Sequence, residues 1–223
     1  MAKINIKGDI VTNEYKRFYD YLSWDSTCPK EVQDIIDAAE ADERIDVYIN
    51  SPGGFVSAGT EIYSALRGDP RAHIHIVGMA CSAASVIAMA ADSDITPPGQ
   101  LMVHCASVSG VSGNHHDMKR AEQALRSTDA AIANAYVVKS GQPLEEIMRL
   151  MERETWLTAN ECVEMGLIDR ITEEAPPLEA VAASGGIRMT DEVMEMVRRE
   201  MAKKKADDEA RAKLLEDLDS FGV

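Results

Sequence analysis

Ser82 and His104 have the residue types and the spacing to attack a carbonyl together. A serine hydroxyl does this only when a base takes its proton, a third group orients that base, and N–H donors meet the developing oxyanion. Ser82 stands in Gly78-Met79-Ala80-Cys81-Ser82-Ala83-Ala84-Ser85, directly after the alternating run His73-Ile74-His75-Ile76-Val77. A strand running through small residues into a helix holds the hydroxyl out on a sharp turn, among backbone N–H groups and in front of a helix N-terminus. His104 closes the run Leu101-Met102-Val103-His104, 22 residues further on. A strand-helix-strand unit sets two such strand ends at one edge of a sheet, which makes His104 the best-placed base.

The oxyanion donors follow from the same logic. In Asn50-Ser51-Pro52-Gly53-Gly54 the two glycines carry no Cβ, so a backbone amide can approach a substrate closely. The amide of Ala83, just after the serine, is the natural second donor. For the orienting acid the sequence offers Glu154, 50 residues past His104, with Asp169 and Glu152 as competitors. Cys81 is a rival nucleophile, but adjacent residues at a turn point in different directions, and a free cysteine there reads as a small buried filler. Ser85, one helical turn beyond Ser82, points along the helix. His73 and His75 share one strand face and read as packing, and His115 and His116 sit in a polar turn. The chain has no ligand spacing of the zinc types and no Gly-rich phosphate loop, so neither a metal nor another cofactor is expected.

The elements that must position these residues alternate. Residues 3–8 read as a strand, 14–22 as a helix, and Pro29 opens a second helix whose Val32, Ile35, Ile36 and Ala39 form one stripe. Residues 45–49 form a strand, 57–67 a helix, 73–77 a strand, 82–91 a helix that is apolar almost all round, and 101–104 a strand. This pattern predicts an α/β domain with a largely parallel sheet. A Ser- and Gly-rich loop over 107–114 precedes one long helix over 117–139, stopped by Gly141 and Pro143. A short helix carries Leu144, Ile147, Met148 and Met151. Residues 154–157 are extended, Thr158-Ala159-Asn160-Glu161 has capping-box spacing, and Leu167-Ile168 reads as a last strand.

The folded domain is expected over 1–174, a Pro-, Ala- and Gly-containing linker over 175–189, and a charge-dense tail with weak helical periodicity over 190–223. The 223 residues are 45% hydrophobic and 27% charged, a globular composition, with a formal net charge of −15. So acidic a surface repels phosphate backbones and anionic lipid, which argues against nucleic acid and membrane partners. No run of about 18 apolar residues is present to span a bilayer. Cys28, Cys81, Cys105 and Cys162 form no C-x-x-C pair and read as reduced thiols of a cytoplasmic protein.

Taken together, Tyr48-Ile49-Asn50-Ser51-Pro52-Gly53-Gly54, Gly78-Met79-Ala80-Cys81-Ser82, Met102-Val103-His104 and the segment from Glu152-Arg153-Glu154 to Asp169 resemble the proteolytic subunit of the Clp protease. The family's order of glycine loop, serine, histidine and acid is kept, over about residues 4–171. The resemblance implies a crotonase-like α/β fold of repeated β-β-α type units, and a serine endopeptidase that cleaves polypeptides through an acyl-enzyme. It implies Ser82 as nucleophile, His104 as base, Glu154 as third member, and the Gly54 and Ala83 amides as oxyanion hole. It further implies a homo-oligomeric ring, with stacked heptamers around a chamber. The long helix would then be a projecting handle between rings, and the Gly/Ser loop a substrate-binding element.

Some features depart from the family pattern. Glu154 stands where the family usually has aspartate, Cys81 replaces the usual alanine, and the link from Ser82 to His104 is short. The chain starts almost at its first strand, so the axial segment that docks a Clp ATPase is not expected, and activity without an ATPase is. The short start and the Ser82-Ala83-Ala84-Ser85 form look like phage-encoded relatives that process capsid and scaffold proteins during head maturation. Such a protein would work in the host cytoplasm or inside the prohead, with its own charged tail as one substrate. The alternatives are an ATP-dependent Clp protease for general degradation, a crotonase-type acyl-CoA enzyme that shares fold and oxyanion hole, and a non-enzymatic scaffold protein.

Overall fold

The computed structural model describes residues 1–172 and 191–220. The chain divides into two units, one through residue 186 and one from residue 187. The expected linker lies outside the described residues.

In the first unit β1 (Ala2–Ile10), α1 (Asn13–Leu22), β2 (Ser26–Thr27), α2 (Pro29–Ala38), β3 (Ile45–Gly54), α3 (Val56–Arg67) and β4 (Ala72–Cys81) follow one another. Then come α4 (Ala83–Ala88), β5 (Asp92–Ile95), β6 (Gln100–Val103), α5 (His115–Ser140), α6 (Leu144–Glu152), β7 (Thr155–Thr158), α7 (Ala159–Glu164) and β8 (Arg170–Ile171). The strands form one sheet in the order β2-β1-β3-β4-β5-β8, with β6 branching from β4 and β7 pairing β6. Every pairing is parallel except β6 with β7. This is the mixed α/β architecture that the alternation of elements predicts.

The apolar runs dictate the layers. Ile45, Val47 and Ile49 of β3 and Ile74 and Ile76 of β4 are fully buried. Ala58, Ile62 and Leu66 of α3 and every residue of α4 cover this sheet centre. A helix buried all round must sit centrally, and α4 does.

β4 serves two neighbours in succession. Its residues 73–76 pair with β5, and its residues 79–81 pair with β6. Between them the register with β3 shifts, at the step from Ile49 to Ser51. There Asn50 Oδ1 accepts from the Met79 amide at 3.2 Å. A Cβ on Gly78 would stand 2.4 Å from that Oδ1, so a larger residue there would have to displace the Asn50 side chain and its bond to Met79. The irregularity carries the last residues of β4 to the ends of β3 and β6, which brings Gly53, Ser82 and His104 to one edge.

Two sequence expectations need correction. The last strand is Arg170–Ile171, not Leu167-Ile168. The amides of Leu167 and Ile168 both donate to the Cys162 carbonyl, which closes the end of α7 and withdraws them from strand pairing. β5 was hidden because Asp92-Ser93-Asp94 is polar. Side chains distant in sequence meet part of it: Asp94 Oδ2 faces His75, and Asp169 accepts from the Ser93 amide and hydroxyl.

α5 runs about 39 Å at 1.5 Å per residue, and its 26 residues cover the helix expected over 117–139. Its first turns are largely exposed, and its first buried residue is Asp129. The second unit contains α8 (Asp191–Ser220). Among the described residues, no helix is long and apolar enough to cross a membrane.

Candidate active site

Ser82 sits at the junction of β4 and α4 with φ 55° and ψ −124°. A non-glycine residue at positive φ stores about 1–3 kcal/mol of strain and persists only where its surroundings impose it. Here they do. The Ser82 amide donates to the Met102 carbonyl of β6 at 2.9 Å, and its carbonyl accepts from the amides of Ser85 and Val86 in the first turn of α4. The side chain is thereby turned out of the sheet edge. Its Oγ lies 2.7 Å from His104 Nε2, so the imidazole is in place to accept the hydroxyl proton.

The glycine loop abuts this turn. Gly53 has φ +97°, and a Cβ there would stand 2.7 Å from Ser82 Cβ and 3.0 Å from Ala83 N. The Gly53 amide is engaged by Ser51 Oγ at 3.1 Å. Gly54 follows at the end of β3, opposite Ile10. Ala83 is the first residue of α4, where an amide has no acceptor within its own helix. The loop and the helix start therefore face each other beside the hydroxyl.

A pocket opens from the pair. Val56 and Thr60 of α3, Ala83 and Val86 of α4, and Ile132 and Tyr136 of α5 line it together with Ser82, His104 and Ala106. Its walls are mostly aliphatic.

Glu154 is not brought to His104. It sits at φ 50° between α6 and β7, exposed, with its amide donating to the Met151 carbonyl. Among the described residues no carboxylate forms a hydrogen bond or ion pair with His104. Asp169 turns elsewhere, accepting from the Ser93 amide and hydroxyl and pairing with Lys139 of α5. Glu152 is exposed at the end of α6. Cys81 is 2% exposed, and burial pushes its thiol up to about 11, so almost none is thiolate near neutrality. His75 lies between Asp46 and Asp94, and His115 and His116 are exposed at the start of α5.

Sequence reading passed over two side chains here. Tyr136 is 1% exposed and reaches Ser85 Oγ at 2.7 Å. Asp129 is 8% exposed, and its Oδ1 accepts from the Ala106 amide at 2.7 Å. The signal was available: Asp129, Ile132, Ala133 and Tyr136 fall at i, i+3, i+4 and i+7, a buried stripe that begins with an acid. Among the described residues, no cluster of three His, Cys, Asp or Glu side chains is placed to hold a metal ion.

A hydroxyl and an imidazole paired where parallel strands end, beside a glycine turn, define an α/β protein with its site at the carboxyl edge of the sheet. A family model for the Clp protease matches residues 32–175, well over half of the chain, and the chain belongs to that family. The matched span includes the glycine loop, Ser82, His104 and Glu154. Membership implies a peptidase, a hydrolase acting on polypeptides, in a family whose members usually form oligomeric rings.

Proposed function

We propose that the protein is a serine endopeptidase with Ser82 as nucleophile and His104 as general base. The observation that carries this reading is the 2.7 Å contact between Ser82 Oγ and His104 Nε2, made from a backbone held at positive φ. His104 takes the hydroxyl proton as Ser82 Oγ bonds to the scissile carbonyl carbon. The oxyanion is received by the amides of Gly54 and Ala83. His104 then gives its proton to the departing amine, which leaves an acyl-enzyme, and water attacks the ester by the same route in reverse.

The physiological role proposed is processing of capsid and scaffold proteins in phage head maturation, by a homo-oligomeric ring that needs no ATPase. The turn Ser82-Ala83-Ala84-Ser85 and the charged segment from residue 190 support it, the latter as a segment the enzyme would trim from itself.

Labelling with a fluorophosphonate, together with peptide turnover in the absence of nucleotide, tests the chemistry. Wild type and Cys81→Ala should both label and turn over peptide, and Ser82→Ala should do neither. Residual catalysis of about 10³–10⁴-fold over water can survive loss of a triad member, so the turnover assay must resolve it. Persistent labelling of Ser82→Ala, or its loss in Cys81→Ala, would overturn the assignment.

A further inference from the structure

We infer that Asp129, rather than Glu154, is the acid that positions His104. The inference rests on the Ser82–His104 reading above and completes it. Asp129 lies on α5, outside the segment between α6 and β7 where the sequence pattern places the third member.

The first argument is what Asp129 holds. Its Oδ1 accepts from the Ala106 amide at 2.7 Å. Ala106 is two residues past His104, where the chain has left β6 and has no strand partner to fix it. A carboxylate accepting from a backbone amide makes a stronger, shorter bond than a neutral acceptor would. That bond pins the segment that carries the imidazole. Ala106 also borders the same pocket as Ser82 and His104, so the pinned segment is part of the site wall.

The second argument is the charge itself. Asp129 is buried, its side-chain partner is the Cys105 thiol, and among the described residues no lysine, arginine or histidine pairs with it. Burying a carboxylate without a cation is costly unless the fold has a use for the charge. A positive charge does arise at this corner, once in each turnover, when His104 takes the Ser82 proton. A negative charge beside the His104 segment favours that imidazolium.

The third argument is rigidity. Asp129, Ile132 and Tyr136 lie along one face of α5, and the last two line the pocket. Tyr136 is tied through Ser85 to the carbonyl of Ser82. One helix thus grips the nucleophile turn at one point and the segment after the base at another. Glu154 offers none of this: it is exposed, and among the described residues no hydrogen bond or ion pair joins it to His104.

The test uses the full-length protein and three variants. Asp129→Asn keeps an oxygen that can accept from the Ala106 amide, removes the charge and turns the second oxygen into an NH2 donor beside Cys105. It should lower kcat about 100-fold, with KM within about threefold of wild type, and slow fluorophosphonate labelling in parallel, at an unchanged melting temperature. Asp129→Glu should recover part of that loss. Glu154→Gln should lose at least tenfold less than Asp129→Asn. If Asp129→Asn turns over like wild type, Asp129 is only a structural brace and the inference fails. It fails equally if Glu154→Gln is the more damaged variant. Failure of the serine-peptidase reading looks different, because wild type would then not label at all.

Discussion

The hydroxyl of Tyr136 and the Oγ of Ser85 lie 2.7 Å apart in the core, and the same Oγ lies 2.6 Å from the Ser82 carbonyl. Directions follow from valence. A carbonyl only accepts, so Ser85 donates to Ser82, and Tyr136 must then donate to Ser85. The relay couples α5 to the turn on which the nucleophile is held.

Breaking the relay at its centre should cost more than at its end. Ser85→Ala strands the buried Tyr136 hydroxyl and removes one of the three donors to the Ser82 carbonyl, and is expected to destabilise by about 1–3 kcal/mol. Tyr136→Phe removes only the outer donor and should cost about 0.5–1.5 kcal/mol. Urea unfolding at constant slope measures both. The same experiment on turnover should show kcat falling further in Ser85→Ala, since the strained turn loses one of its supports.

The order of elements, the buried stripes and the Ser82–His104 pairing were legible because each has a short-range signature: alternation, helical period, and chemistry at two strand ends. β5 was not, because Asp92-Ser93-Asp94 carries no apolar alternation and is held by partners distant in sequence, His75 and Asp169. Asp129 escaped for the same reason. An acid on a helix reads as solvated unless the neighbour that covers it is known, and here that neighbour is the segment after His104. Glu154 looked suitable by its place in the order of residues, but order along the chain does not set which way a side chain faces at an exposed corner.

His75 makes stability depend on pH. Its Nδ1 lies 2.9 Å from Asp94 Oδ2 and its Nε2 3.2 Å from Asp46 Oδ1, with the ring stacked on Tyr48. Burial alone would lower its pKa, but the Asp94 and Asp46 carboxylates outweigh burial and raise it. A raised histidine contributes stability that is fully present below the unfolded value, about 6.5, and is lost as pH rises through the folded value. His75→Gln should therefore melt lower than wild type by about 2–4 °C near pH 6, and the gap should close toward pH 9. Melting curves across that range check it, and a gap that widens with pH would contradict the assignment. Asp46 moves oppositely: burial would raise it, but Arg44 and His75 hold it below the usual carboxylate range. Its share of stability is lost only as the solution becomes acid enough to protonate it.

Gly53 is the residue through which the glycine loop meets the nucleophile. A Cβ at φ +97° would lie 2.6 Å from the Cys81 carbonyl oxygen and 2.7 Å from Ser82 Cβ, and neither is the end of a flexible side chain. Gly53→Ala must therefore displace the loop or the turn. It should lower kcat by at least about 100-fold, the scale of a lost oxyanion donor, and destabilise by about 1–3 kcal/mol. Gly141→Ala separates strain from crowding, because Gly141 has φ +70° and nothing within 4 Å of a new Cβ. That variant should lose about 1 kcal/mol and keep its turnover. If Gly53→Ala loses stability like Gly141→Ala but cleaves peptide normally, the glycine loop does not shape the site.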